Sequence, residues 1–124
     1  MKNPFVVGLL LLVSLAGCTN RWTVTTENPR TRFFLDTRSA TSVSPGVWDV
    51  TERFLDVSTD RWSMETVVRY DCEARTFMTR SVRGFNEHRP YPRASEMTGN
   101  TPATVVPGSD EEARLDAVCE LVGG

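Results

Sequence analysis

Alternation of apolar and polar side chains runs through most of the chain and predicts extended strands. The clearest example is residues 64–72, where every second side chain would face the same side of a sheet. One side would carry Met64, Thr66, Val68, Tyr70 and Cys72, and the other Glu65, Val67, Arg69 and Asp71. We therefore expect a strand here whose mostly apolar side, including Cys72, faces the core.

Turn-forming residues divide the rest of this extended region into further strands. Turns are predicted at Asn28-Pro29, at Pro45-Gly46 and at residues 73–76. The strands between and beyond them are predicted at residues 22–26, 33–44, 47–55, 77–85 and 104–106. In the first strand, Trp22, Val24 and Thr26 are expected to form the buried face. Residues 86–102 show no period and predict a long exposed loop.

The C-terminal segment carries the signals of a helix. Pro107-Gly108 ends the extended chain, and Ser109 and Glu112 have the spacing of a capping box. The residues that then recur with helical spacing, and so predict one apolar stripe, are Leu115, Val118, Cys119 and Val122. Cys119 is therefore expected on the buried side of the helix.

The N-terminal segment has the organisation of a secretory signal peptide. Lys2 gives it a positive charge, residues 5–16 are apolar, and small residues follow. A membrane-anchoring helix is the alternative interpretation, but the apolar run is shorter than the roughly 20 residues that spanning a bilayer requires. The run ends in Leu15-Ala16-Gly17-Cys18, which resembles the lipobox of bacterial lipoproteins, where the cysteine thiol receives a lipid before cleavage.

The lipobox resemblance predicts three parts. Residues 1–17 form the signal peptide, residues 18–21 form the lipidated N-terminus with a short tether, and residues 22–124 form a single domain. Acyl chains on Cys18, palmitate among them, would attach the protein durably to a membrane. Thr19 follows the cysteine, and by resemblance to Gram-negative lipoproteins the absence of Asp there favours the outer membrane of the cell envelope.

Cysteine usage adds a constraint on the fold. Lipidation of Cys18 leaves Cys72 and Cys119 in an oxidising compartment, and both lie on faces that are expected to be buried. We therefore predict a disulfide between them, with two separate buried thiols as the alternative. The resulting fold is an α+β arrangement, in which an antiparallel sheet carries a C-terminal helix packed on one face and held by the disulfide.

The charge balance narrows the class of partner. The chain has 14 basic and 16 acidic side chains, and its formal net charge is −2 at pH 7. Nucleic-acid binding normally requires a basic domain or a basic stripe, and the sequence shows neither. Nucleic acid is therefore not an expected partner.

Several short motifs, taken in order, resemble the surface-adhesin protein E family of bacterial lipoproteins. They are Trp22, Phe34-Leu35-Asp36, Val47-Trp48-Asp49-Val50, Arg69-Tyr70-Asp71-Cys72, Val106-Pro107-Gly108-Ser109 and Val118-Cys119. The resemblance covers nearly all of the mature chain. It implies an antiparallel sheet of about six strands with a helix fixed by the disulfide, and founding members that bind host matrix and serum proteins.

Arginines near the fourth predicted strand are the candidate partner-binding residues. They are Arg69, Arg75, Arg80 and Arg83, and they lie close in sequence to Tyr70 and Phe77. Arginine and aromatic side chains are enriched at binding hot spots because they offer planar donors and large contact areas. In the alternative interpretation these arginines only cover the sheet and pair with Glu65, Asp71 and Glu73.

Residues for catalysis or metal binding are sparse. His88 is the only histidine and lies in the predicted loop, and a disulfide removes the remaining thiols as ligands. We therefore expect no enzyme activity, no metal site and no cofactor. Trp48 and Trp62 together would offer a carbohydrate platform, but Trp48 shares a strand face with Val50 and is better explained by core packing.

Two functions remain from this reasoning. The first is an outer-membrane lipoprotein that acts as a protein-binding module, including an adhesin-like surface protein that binds a host matrix protein. The alternative is a periplasm-facing accessory or inhibitor lipoprotein with a structural role in the envelope. Both use the membrane as a partner through the lipid anchor.

Overall fold

The computed structural model describes residues 21–123. The predicted signal peptide and Cys18 lie outside the described residues. The predicted domain, from Trp22 onward, lies within them except for Gly124.

Five long strands form an antiparallel sheet in which each strand pairs with its neighbours in sequence. They are β1 (Trp22–Glu27), β2 (Thr31–Ser44), β3 (Val47–Asp56), β4 (Arg61–Asp71) and β5 (Thr76–Asn86). Three two-residue strands, β6 (Arg89–Pro90), β7 (Ser95–Glu96) and β8 (Ala103–Thr104), all pair with β5. Helix α1 (Asp110–Val118) and a π-helical turn (Cys119–Gly123) follow.

The fold is therefore mostly β. The antiparallel sheet and the C-terminal helix are confirmed, but the α+β description gives the helix too much weight, because one nine-residue helix stands against a much larger sheet. The predicted turns at Pro45-Gly46 and after β4 are confirmed as hairpin connections. Gly46 adopts a φ of +77°, a conformation that favours glycine at this turn.

One face of the sheet packs against the helix and forms the core. Because α1 contacts both β1 and β5, the sheet curls around it as a half-barrel. The buried apolar side chains of this core are Leu35, Val50, Val68 and Tyr70 from the sheet, Val105 from the segment before the helix, and Leu115 and Val118 from the helix. Trp48 packs partly buried against this core, as expected.

The disulfide between Cys72 and Cys119 joins the end of β4 to the C-terminal end of α1, with 5.8 Å between the two Cα atoms. This confirms the predicted pairing. Both cysteines lie partly buried at the margin of the core, since Cys72 begins the turn after β4 and Cys119 caps the helix. The bond therefore fixes one end of the helix to one end of a central strand.

The start of the helix follows the predicted capping box with one change. The Ser109 hydroxyl accepts a hydrogen bond from the backbone N–H of Glu112 at 3.2 Å. The Glu112 carboxylate, in return, accepts from the backbone N–H of Gly108 at 3.0 Å, one residue earlier than in the usual box. The backbone N–H groups of Glu112 and Gly108 thereby both have hydrogen-bond acceptors at the start of the helix.

The prediction that Trp22, Val24 and Thr26 form the buried face of β1 is wrong. Val24 is 48% exposed, and the pairing with β2 shifts between Val24 and Thr26. This bulge at Thr25 inserts one extra residue, so Trp22 and Val24 lie on the sheet face opposite the helix while Thr26 turns to the helix side. The alternation of apolar and polar residues in the sequence does not show where a bulge moves the following side chains to the other face of the sheet.

The segment predicted as a loop is more structured than expected. Residues 86–102 are largely exposed, but Arg89–Pro90 and Ser95–Glu96 each add a short strand beside β5. The last predicted strand is displaced to Ala103–Thr104, after which Val105 enters the core and Val106 is 65% exposed. Pairing with the outer edge of β5 explains these short strands, because that edge otherwise has unpaired backbone groups.

Removing the disulfide should destabilise the domain strongly. The bond spans a sequence separation of 47 residues, and closing a loop of that length restricts the unfolded chain. The chain-entropy model assigns such a loop about 4 kcal/mol of the free energy of unfolding. Cys72→Ala combined with Cys119→Ala should show this loss in urea unfolding followed by circular dichroism. Cys18→Ser should unfold like the parent, and a double variant as stable as the parent would contradict the prediction.

Candidate functional site

The sheet face opposite the helix carries a cluster of aromatic rings around one arginine. Each of the five long strands contributes one side chain to it, namely Trp22, Phe34, Arg53, Trp62 and Phe85. The Trp62 ring centre lies 5.0 Å from that of Phe34, 6.2 Å from that of Phe85 and 6.3 Å from that of Trp22. We call this set the aromatic–arginine cluster.

Arg53 is the centre of the cluster. Its guanidinium carbon lies 4.5 Å from the ring centre of Trp22, 5.3 Å from that of Trp62 and 5.1 Å from that of Phe85. Contacts of this kind are favourable because the face of an aromatic ring attracts a cation. Arg53 also donates a 2.9 Å hydrogen bond to the Glu65 carboxylate, whose second oxygen lies 3.3 Å from Nε of Arg83.

Cross-strand pairing explains why these residues meet. Phe34 is directly opposite Arg53, Arg53 is directly opposite Glu65, and Glu65 is directly opposite Arg83. Directly paired residues share a face of the sheet, so the alternation that buries the helix side also collects these side chains on the other side. All four rings remain partly exposed.

Trp48 and Trp62 do not form a shared carbohydrate platform, in agreement with the expectation that Trp48 packs against the core. Trp48 pairs with buried Tyr70 on the helix side of the sheet, whereas Trp62 belongs to the aromatic–arginine cluster on the other side. The two rings therefore cannot hold one ligand. The Arg53 guanidinium also lies over the ring of Trp62, where a sugar would have to stack.

Three of the four arginines predicted to bind a partner are engaged within the domain. Arg69 donates two hydrogen bonds to Asp49, at 2.8 and 3.0 Å, and Arg83 pairs with Glu65. Arg75 reaches the helix, where it lies 3.3 Å from Glu112 and 3.0 Å from Asp116. Each of these side chains pairs with a different set of carboxylates of the domain.

The predicted carboxylate partners of these arginines are only partly correct. Glu65 does pair with Arg83, but the Asp71 carboxylate accepts hydrogen bonds from the backbone N–H groups of Glu73 and Ala74 and so stabilises its own turn. Glu73 is exposed and forms no ion pair in the described chain. Tyr70 is completely buried, as its place on the core side of β4 predicts, and so does not contribute to a partner surface beside these arginines.

Arg80 differs from the other three arginines. Its side chain is exposed and forms no ion pair with any residue between 21 and 123. It is the extra residue of a bulge in β5, since Val67 pairs with Ser81 and Val68 pairs with Thr79. The bulge projects Arg80 at the edge of the sheet.

A shallow hollow of about 310 Å³ lies beside Arg80. The segment after β7 forms its far wall and is held to the bulge by two hydrogen bonds. The Met97 N–H donates to the Arg80 carbonyl at 2.9 Å, and the Asn100 side chain donates to the Thr79 carbonyl at 2.8 Å. Met78 and Glu96 complete the lining of what we call the Arg80 hollow.

Glu52 is a chemically distinctive residue that the sequence analysis missed. It is completely buried on the helix side of β3, where its carboxylate accepts a 2.7 Å hydrogen bond from the Tyr70 hydroxyl and lies 3.7 Å from the Arg114 guanidinium. Burial raises the pKa of Glu52, while the charge of Arg114 and the hydrogen bond from Tyr70 act in the opposite direction. The available signal was its position between Val50 and Phe54 on the apolar side of the strand.

The partner of Glu52 comes from the helix. Arg114 is also buried, and its guanidinium lies 4.8 Å from the Phe33 ring centre and 5.3 Å from that of Phe54. The second Glu52 oxygen, the Thr66 hydroxyl and Nε of Arg114 have no hydrogen-bond partner among the described residues. Because this network is enclosed between sheet and helix, it joins two elements and does not meet a substrate from solvent.

His88 lies in an exposed turn next to Asn86, Glu87 and Arg89. In the part of the chain that the structure describes, His, Cys, Asp and Glu side chains nowhere form a group of three that could hold a metal ion. No helix within residues 21–123 has the length and apolar character required to cross a bilayer.

Comparisons with models of protein families, with curated proteins and with solved structures found no match to this chain. The resemblance to the surface-adhesin protein E family therefore stays a prediction.

Glu52 should make the free energy of unfolding depend on pH. Because its pKa is raised in the folded protein, protonated Glu52 stabilises the fold fully below about pH 4.5, and this contribution is lost as the pH rises through the raised value. Relative to Glu52→Gln, the parent should therefore lose stability from about pH 4.5 upward, as urea unfolding at several pH values can measure.

Tyr70→Phe provides the companion variant for this measurement. It removes the hydroxyl whose hydrogen bond lowers the pKa of Glu52, so the loss of stability should begin at the same pH as in the parent but continue to higher pH and become larger. If the difference between the parent and Glu52→Gln is constant across pH, the pKa of Glu52 is not raised.

Proposed function

We propose that this protein is a lipid-anchored component of the bacterial cell envelope and works as a protein-binding module without enzyme activity. The basic start, the apolar run and the Leu15-Ala16-Gly17-Cys18 sequence support export and lipidation at Cys18. The resemblance to the surface-adhesin protein E family supports a binding role and an outer-membrane location.

The observation that carries the binding role is the Arg80 hollow. Arg80 is the one residue of the predicted arginine set without a carboxylate partner in the described chain, so its guanidinium is available to another molecule. Met97 beside it is 43% exposed, and methionine adapts its shape to an apolar partner surface. Arginine next to adaptable apolar contact is the composition of a protein-binding hot spot.

The hollow is also held in shape before any partner arrives. The hydrogen bonds from Met97 and Asn100 tie its far wall to the carbonyls of the β5 bulge. A surface that is already ordered loses less conformational entropy on binding. We therefore place the protein-binding surface at the bulge of β5 and the segment after β7.

The lack of enzyme activity is supported by the position of the charged groups. Glu52 is the carboxylate whose pKa is raised by burial, and it is enclosed between the sheet and α1. General acid–base catalysis requires such a group within hydrogen-bond reach of the substrate. The exposed His88 has only Asn86, Glu87 and Arg89 beside it in its hollow.

The two forms of this function, an adhesin-like surface protein and a periplasm-facing accessory or inhibitor protein, differ in the side of the outer membrane on which the domain lies. An adhesin-like protein exposes its domain to protease added to intact cells, whereas a periplasm-facing accessory or inhibitor protein survives until the outer membrane is opened. Binding of immobilised host matrix or serum protein would then identify the first form.

Cys18→Ser should release the protein from the membrane. A transferred acyl chain supplies about 0.8 kcal/mol per buried methylene, so its loss removes the attachment. Fractionation of cells should find the variant in the soluble fraction, and mass spectrometry of the parent should show acyl groups on the N-terminal cysteine. A parent protein whose N-terminal cysteine carries no acyl group would disprove the anchor.

Arg80→Glu should weaken partner binding by about tenfold or more, because it replaces the exposed cation of a hot spot by an anion. A photo-crosslinking amino acid at position 97 in cells should give an adduct of higher mass that Arg80→Glu diminishes. Arg38→Glu is the matched control, since Arg38 is an exposed arginine of β2 and lies outside the Arg80 hollow. Equal adducts in both variants would exclude the Arg80 hollow as the binding surface.

A further inference from the structure

We propose that the aromatic–arginine cluster lies flat against the bilayer that carries the lipid anchor, so that this face of the sheet is a membrane-contacting surface. The proposal rests on the lipid anchor of the proposed function. It adds an orientation of the domain and a second contact with the membrane, made by side chains of the folded domain itself.

The length of the chain before the domain is the first argument. Trp22 begins β1 and belongs to the cluster, and Cys18 precedes it by only four residues. Four residues of fully extended chain reach at most about 14 Å. Whatever path residues 18–21 follow, a lipid on Cys18 keeps the start of β1 close to the bilayer surface.

The chemistry of the face is the second argument. Trp22 and Trp62 are partly exposed and lie together on it, and tryptophan is enriched at membrane interfaces because its ring has an apolar body and a polar N–H group. Val24 is directly opposite Phe34 on the same face and is 48% exposed. These side chains present apolar surface next to the point where the anchor joins the domain.

The charges of this face favour lipid phosphates. Arg53 and Arg83 share the single carboxylate of Glu65, which leaves one positive charge in excess. The Arg21 side chain is 61% exposed, whereas its partner Asp36 is only 4% exposed, so the positive member of that pair faces outward. Positive side chains near a membrane surface are attracted to anionic lipids, and arginine donors bind phosphate oxygens well.

A protein partner fits this face less well than a lipid surface. A protein bound here would have to fit between the domain and a membrane that the four-residue connection keeps near Trp22. The Arg80 hollow, in contrast, lies at the edge of the sheet beyond β5, whereas the chain from the anchor enters at β1 on the other edge. The two surfaces therefore lie toward opposite edges of the sheet.

The test measures which tryptophan touches lipid. The full-length lipidated protein is reconstituted into vesicles of phosphatidylethanolamine and phosphatidylglycerol, with or without bromine atoms on the acyl chains near the headgroup. One variant keeps only Trp62 (Trp22→Phe with Trp48→Phe), and the other keeps only Trp48 (Trp22→Phe with Trp62→Phe). Trp48 is the internal control because it packs against the core on the helix side of the sheet.

We expect brominated lipid to quench the protein that keeps Trp62 and to leave the protein that keeps Trp48 unchanged. Acrylamide in the aqueous phase should quench Trp62 less in vesicles than in detergent. Equal quenching of the two proteins by bromine, or full access of acrylamide to Trp62 in vesicles, overturns the proposal. Shielding of Trp62 that requires an added protein overturns it as well, because the face then belongs to a protein partner.

Two matched substitutions at exposed valines test the membrane contact without changing the aromatic rings of the cluster. Val24→Glu places a negative charge on the cluster face and should reduce the bromine quenching of Trp62. Val106→Glu places the same charge before the helix, at a position that is 65% exposed, and should leave the quenching unchanged. Equal quenching in both variants overturns the proposal.

Mass spectrometry of the N-terminus separates this proposal from the proposed function. If Cys18 carries no lipid, the anchor and the membrane-contacting face fail together. If Cys18 is lipidated but Trp62 does not respond to brominated lipid, the anchored binding module stands and only the orientation is wrong.

Discussion

The attachment of one short helix to one face of the sheet is the constraint on which the rest of the structure depends. Helix α1 has nine residues, and isolated helices of that length are not stable in water. It holds because Leu115 and Val118 are buried, because Arg114 reaches Glu52 in β3, and because the disulfide fixes its C-terminal end to β4. Hydrophobic, ionic and covalent contacts thus all act between the helix and the sheet.

This attachment decides which face of the sheet is free. Within residues 21–123 one α-helix covers the sheet, and it buries only one side. The side chains of the other side contact and pair with one another. The aromatic rings around Arg53 and the ion pairs of Glu65 and Asp49 do this through lateral contacts between neighbouring strands. The free face is therefore ordered and apolar in part without being a second core.

The two proposed surfaces follow from the same architecture. The free face begins at β1, and the anchor proposed at Cys18 would relate this face to the membrane. The Arg80 hollow is produced at the other edge, where a bulge in β5 interrupts the ladder and the segment after β7 bonds to the carbonyls it releases. A module with one face toward its membrane and one edge toward a partner would need neither a catalytic group nor a cofactor.

The sequence by itself determined the local elements. The pairing of Cys72 with Cys119 was predictable because only these two cysteines remain once Cys18 is assigned to the lipid. The strict alternation of residues 64–72, the turn at Pro45-Gly46 and the cap at Ser109 were predictable because each depends on the period of the chain or on neighbours within a few residues. Those signals act within a single element, and the structure confirmed them.

Only the tertiary structure decided the sites. The bulge at Thr25, the meeting of Trp22 with Trp62 and the pairing of Arg75 with Asp116 depend on register between strands and on where the helix comes to lie. Glu52 and Arg114 became a buried pair because two elements distant in sequence present them to each other. The physical reason is that a one-residue shift in register exchanges the faces of a strand, and the local pattern does not encode that shift.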